Sequence, residues 1–111
     1  MKKLLLVIAN FCFVSLAEAQ VKFQKVYGSV SDEEAYSVNL TSDGGYIIGG
    51  YTSNLGNGGK DALVLKIDAT GNMQWTKSFG STNDDYIMDI KQTFSGEYYA
   101  CGIYNSRPIC T

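Results

Sequence analysis

The chain has 111 residues, a formal net charge of −2 and 45% hydrophobic residues. Its nine lysines and arginines are dispersed rather than gathered into a patch, so nothing in the charge points to nucleic acid. Histidine is absent, which removes Ser-His-Asp and Cys-His catalysis and the commonest metal ligand from this segment.

The first element is a leader. Met1, Lys2 and Lys3 make a short positive start, and residues 4–16 are apolar apart from Asn10 and Ser15. Ala17, Glu18 and Ala19 then supply the A-x-A arrangement of a cleavage site, which predicts a signal peptide over residues 1–19. The apolar stretch is too short for a membrane-spanning helix, which needs about 20 residues. A buried N-terminal helix is the competing reading, and the charged start with the cleavage site weighs against it. Asn10 and Phe11, ahead of Cys12, do not form a lipobox, so no lipid anchor is expected. Cleavage would remove Lys2, Lys3 and Glu18, leaving seven basic and ten acidic residues, a charge of −3. The mature chain, residues 20–111, is expected to be secreted or held at the cell surface, with no transmembrane segment.

Strand patterns follow. A first strand is predicted over residues 21–27. "AYSVNLT" (35–41) alternates, with Tyr36, Val38 and Leu40 on one face and Ser37 and Asn39 on the other. "SDGG" supplies turn chemistry, Gly44 and Gly45 being able to take positive φ. "YIIGGYT" resumes as a strand whose apolar run implies burial on both faces. "SNLGNGG" (53–59) is a polar loop, "DALVLKID" a third strand, "ATGN" a tight turn and "MQWTKSF" a fourth strand. No helical stripe occurs after the leader, and the only proline is Pro108. These patterns predict an all-β domain.

A repeat underlies the order. "FQKVYGS" (23–29) returns as "WTKSFGS" (75–81), placing Phe23 on Trp75 and Tyr27 on Phe79. The same spacing of 52 puts Asp32 on Asp84, Thr41 on Thr93, Gly44 on Gly96, Tyr46 on Tyr98 and Gly50 on Gly102. Four strands in about 50 residues, joined as a meander, match one blade of a β-propeller. On this reading a full blade covers about 35–79. A partial blade covers about 87–111 with two strands, and strand 21–27 is the latch that would complete a last blade. One full blade and two partial ones cannot close a ring, so the chain is expected to be the N-terminal piece of a longer product or a truncated reading frame. Its unpaired edges would invite aggregation or oligomerisation, and further blades of its own chain are the expected partners.

The stretch from Asp43 to Ser81 resembles the repeat of secreted bacterial β-propellers, D-G-G-Y-x-x-x-G-x-T … D-x-x-x-x-K-x-D-x-x-G-x-x-x-W-x-K-x-x-G. The matching residues are Asp43, Gly44, Gly45, Tyr46, Gly50, Thr52, Asp61, Lys66, Asp68, Gly71, Trp75, Lys77 and Gly80. Ser29 and Ser81 replace a second glycine, and the partial repeat has Ser95, Glu97 and Tyr104 where the full one has Asp43, Gly45 and Thr52. The resemblance implies a fold and an exported location, often with a C-terminal sorting domain, but no reaction.

Several stretches could carry chemistry. The glycines of "GGYIIGG" do not fit G-x-G-x-x-G and precede no helix, so a hairpin turn with close strand packing is favoured over a phosphate site. Asp68, Thr70 and Asn72 have calcium-like spacing. The further acidic ligands are missing, so an Asp68 turn with Gly71 at positive φ is favoured. "SDEE" (31–34) and "NDD" (83–85) fall in equivalent loops. Paired carboxylates can hydrolyse glycosides, but Asp32 and Asp84 read better as loop ties through side-chain-to-backbone bonds. Trp75 and Phe23 read as inter-blade core rather than a sugar-stacking platform.

Cys101 and Cys110 lie outside any C-x-x-C motif. They could form a disulfide around Pro108, or Cys101, aligned with Gly49, could simply supply a small side chain. No catalytic, cofactor or metal residue is assigned. The expected function is an exported, non-catalytic scaffold presenting loop 54–59 on one rim to a protein or glycan. The alternative is the N-terminal propeller of a larger secreted hydrolase or lyase.

Overall fold

The structure, a computed structural model, describes residues 24–28, 32–53 and 59–111. The expected signal peptide, Phe23 and residues 54–58 of the rim loop lie outside the described residues. Everything regular in the described part is antiparallel β-sheet. No helix among these residues is long and apolar enough to cross a membrane.

The first sheet is a meander of β1 (Glu33–Leu40), β2 (Tyr46–Thr52), β3 (Asp61–Ile67) and β4 (Met73–Phe79), hydrogen-bonded in chain order. Turn chemistry fixes its register. In the β1–β2 turn Gly44 adopts φ +81°, and Thr41 and Gly45 close the hairpin by main-chain hydrogen bonding at 2.9 Å. Gly71 takes φ +87° in the β3–β4 turn, a region that glycine enters without steric cost. The apolar run of β2 is buried on both faces, as its sequence predicts, and β3 is buried almost throughout.

A second sheet contains β5 (Tyr86–Gln92), β6 (Tyr98–Tyr104) and β7 (Arg107–Cys110). It therefore has three strands where two were expected. The third arises from a two-residue turn with Asn105 at φ +51° and Ser106 at φ +61°, the positive pair that a type I′ hairpin needs. Pro108 is tolerated because β7 lies at the sheet edge. Cys101 and Cys110 stand opposite each other on β6 and β7, with Cα atoms 4.2 Å apart, and form a disulfide. By the loop-entropy argument, closing so short a loop stabilises by about 2–3 kcal/mol.

Two further expectations change. Residues 24–28 belong to no strand, so the predicted strand 21–27 is not formed over its described part. The alternation of β1 is also broken. The β1–β2 register shifts between Ala35 and Ser37, and this bulge turns Tyr36 from the Val38 face to the opposite one, where its ring meets Tyr51 at 5.9 Å.

The sheets stack face to face. Ile47, Ala62 and Val64 of the first sheet form one cluster with Ile87 and Ile90 of the second, flanked by Trp75, Tyr98 and Ala100. Burying each isoleucine side chain stabilises by about 1.5–3 kcal/mol. Gly49 sits at the closest approach, where a Cβ would lie 2.5 Å from Ile87 Cγ2 and 3.1 Å from Ile90 Cγ2. Polar bonds tie the margins. Asn39 Nδ2 donates to the Ile90 carbonyl (2.7 Å), Ser42 N–H to Gln92 Oε1 (2.8 Å) and Asp85 N–H to the Lys60 carbonyl (2.7 Å).

Local features coincide at the 52-residue spacing. The bulge at Tyr36 has a counterpart at Met88, between Ile87 and Asp89. Gly44 at φ +81° is matched by Gly96 at φ +91°. A Cβ on Gly50 would lie 1.8 Å from the Glu34 carbonyl oxygen, and one on Gly102 would lie 2.0 Å from that of Tyr86. Backbone fills the space at both positions. Gly50→Ala is therefore expected to lower unfolding stability by about 1–3 kcal/mol, the usual cost of overpacking. Urea denaturation measures this, and a wild-type midpoint would contradict the close approach.

Candidate functional site

The stretches singled out in the sequence resolve into turns and ties. Asp43 accepts hydrogen bonds from the Thr41 hydroxyl, the Gly45 N–H (2.9 Å) and the Lys66 ammonium (3.0 Å). In that order these donors hold its carboxyl well below the usual carboxylate range. Lys66 is buried and also donates to the Ile67 carbonyl and Gln74 Oε1, both at 2.9 Å. The glycine-rich hairpin is thus closed by a carboxylate, the wrong charge for cradling a phosphate.

Asp68 Oδ1 accepts from the N–H groups of Thr70 and Asn72 and from the Thr70 hydroxyl, each at 2.9 Å. The Asn72 main-chain bond, then the Thr70 hydroxyl, lower its pKa. The arrangement is the Asx-type turn that the residues predict. Asp84 ties its loop as expected, accepting from Lys60 N–H at 3.0 Å. Asp32 makes its tie differently, with its main-chain carbonyl accepting from Ser53 N–H (3.0 Å) and from the Ser53 hydroxyl (3.1 Å). Trp75 lies at the contact between the sheets, edge-on to Tyr98 with centroids 5.9 Å apart.

Asp85 escaped the sequence reading. It is fully buried and accepts from the Ser81 N–H (2.6 Å), the Ser81 hydroxyl (3.0 Å) and the Asn105 N–H (2.7 Å). Burial alone would raise its pKa, but the Ser81 and Asn105 main-chain bonds and the Ser81 hydroxyl outweigh it, and the net shift is downward. The residue 52 positions earlier is Glu33, which accepts from the Thr52 hydroxyl at 3.3 Å. A carboxylate at both places was the signal that could have found it.

A different group of residues converges beside this anchor. Tyr36, Tyr86, Met88, Lys60 and Asp84 line a recess between the two sheets. Tyr36 from the β1 bulge meets Tyr86 of β5 edge-on at 6.0 Å and Tyr51 of β2 at 5.9 Å. The Lys60 ammonium lies 4.3 Å from the centre of the Tyr51 ring, a cation–π contact. The Tyr36 hydroxyl donates to Glu34 Oε2 at 3.0 Å. That bond, followed by desolvation and the nearby Glu34 charge, raises the Tyr36 pKa and keeps the phenol protonated.

The recess offers ring faces, phenol hydroxyls, one ammonium and one carboxylate. Such a mixture suits stacking and hydrogen bonding of a polar ring. Its three tyrosines differ from their counterparts at the 52-residue spacing, whereas Asp84 matches Asp32: Met88 answers Tyr36, Ile103 answers Tyr51, and Glu34 answers Tyr86. The aromatic part of the recess is thus specific to this junction.

No protein-family model matches the chain, and no curated protein matches it.

The Asp85 carboxyl has a folded pKa below its unfolded value of about 3.9. Its contribution to stability is therefore present at neutral pH and is lost as pH falls through the folded pKa. Asp85→Asn is expected to lose about 1–3 kcal/mol at pH 7, because the Ser81 and Asn105 N–H groups use different carboxylate oxygens and one of them would face an amide NH2 instead. Below pH ~4 its stability should fall less steeply than that of the wild type. Parallel acid limbs in urea-unfolding curves would contradict this role.

Proposed function

We propose that the chain is an exported, non-catalytic β-propeller segment that works as a binding scaffold for an extracellular protein or glycan. The two sheets act as successive blades, and the junction between them presents the ligand-binding recess. The observation that carries this reading is the grouping of Tyr36, Tyr51 and Tyr86 with Lys60 and Asp84 at one end of the stacked sheets.

Three facts support the parts of the proposal. The bulge, the turn glycine and the backbone-crowded glycine recur at the spacing of the sequence repeat, which favours blades over an unrelated pair of sheets. The leader residues 1–19 favour export. The recess holds aromatic faces beside charged groups, a composition that favours a sugar ring among the candidate ligands. Asp85, the fully buried carboxylate nearest to it in sequence, is held by Ser81 and Asn105 and works as a strut.

A glycan array followed by titration of the purified chain tests the proposal. A bound glycan should lose about tenfold in affinity, about 1.4 kcal/mol, with Tyr36→Ala. Reproducible absence of glycan and protein capture, or full affinity in that variant, would contradict the assignment.

A further inference from the structure

The two stacked sheets do not meet through like faces. The first sheet contributes the face of Ile47, Gly49 and Val64, whereas the second contributes the face of Ile87, Ile90 and Ala100. Counting back 52 positions, those three fall on Ala35, Val38 and Ile48, which occupy the other face of the first sheet. The second face is open on β5-β6-β7, whereas on the first sheet it is open along β1 and already covered at Leu65, with Tyr27 beside it. Val38 is 62% exposed where Ile90 is 3% exposed, and Tyr99 is 46% exposed where its counterpart Ile47 is fully covered.

We propose that copies of this chain assemble head to tail. The open face of β5-β6-β7 in one copy seats on the open face of the four-stranded sheet in the next. The occupant is argued from the contact already present within the chain. A face carrying Met88, Tyr99, Ile103 and Pro108 takes the part of the one carrying Tyr36, Ile47, Tyr51 and Ala62. The receiving face, with Ala35, Val38, Ile48, Leu63 and Leu65, takes the part of the Ile87–Ile90 face.

Residues 24–28 add an independent reason. They lie against the receiving face, where Tyr27 borders Ile48, Leu63 and Leu65 and its hydroxyl donates to the Gly71 carbonyl. Lys25 Nζ donates to Asn72 Oδ1 at 2.6 Å. This segment shares the sequence pattern of β4 but belongs to no ladder. The second sheet is the reverse case, with three strands and β7 at an edge. An arriving copy brings three strands beside the segment that matches a fourth. Its β7 edge and residues 24–28 then complete one another, and the unpaired main-chain groups of both are satisfied. The contact is heterologous, so it builds a ring if the rotation closes and a filament if it does not.

The proposal rests on reading the two sheets as successive blades, and its test is separate from ligand capture at the recess. Sedimentation of the mature chain, residues 20–111, over a dilution series should show concentration-dependent assembly. Val38→Lys spoils the receiving face and Tyr99→Lys the arriving face, so each variant alone should be monomeric. An equimolar mixture should give a heterodimer, because each variant retains the face that the other has lost. Assembly surviving in either variant, or a mixture that stays monomeric, would overturn the head-to-tail contact. A monomeric wild type would overturn it directly, leaving the open faces to other partners.

Discussion

Gly49 marks the point where the two sheets come closest, and the arrangement depends on the side chain it lacks. Sheets ordinarily pack with about 10 Å between them, a gap filled by side chains from both faces. At Gly49 the second sheet supplies all of the filling, through Ile87 and Ile90. Ile47 and Val64 surround that point, and Trp75 extends the contact to Tyr98. The polar bonds from Asn39, Ser42 and Lys60 then fix how one sheet lies over the other. With the stack set in this way, the β1 bulge brings Tyr36 beside Tyr86, and the recess exists only because both sheets contribute to it.

The stack also separates conserving a scaffold from varying a surface, within one chain. Positions 52 apart agree where backbone geometry is at stake: Gly44 with Gly96, Gly50 with Gly102, and the bulges at Tyr36 and Met88. They differ at Tyr36, Tyr51 and Tyr86 beside the recess, and at Val38 and Tyr99 on the open faces. Gly49 answers Cys101, which is spent in the disulfide with Cys110 on the second sheet. The first sheet needs emptiness at that position, because another sheet lies on it. The second sheet carries a crosslink there instead, and that bridge stabilises its short edge strand.

Much of the fold was legible in the residues. Alternation, the apolar run of β2 and the turn glycines place β1 to β4 to within a few residues, β5 and β6 were expected only as two strands somewhere in residues 87–111, and Trp75 reads correctly as a contact between sheets. β7 was missed because Asn105-Ser106 is a less familiar type I′ pair than Asn-Gly, and because the strand contains Pro108. The faces of β1 were misassigned at Tyr36, since a bulge adds a residue that strict alternation does not count. The recess was invisible for a different reason. Tyr36, Tyr51, Lys60 and Tyr86 come from separate elements, and only the stacking of the sheets joins them.

Gly49, by lacking a side chain, lets one sheet seat on the other. Urea unfolding of Gly49→Val, followed by fluorescence of the sole tryptophan, Trp75, and by far-ultraviolet circular dichroism, tests it directly. The added side chain should collide with Ile87 and Ile90, altering the native Trp75 emission and lowering stability by about 1–3 kcal/mol. Native emission and an unfolding curve both identical to wild type would contradict the stacking on which this account is built.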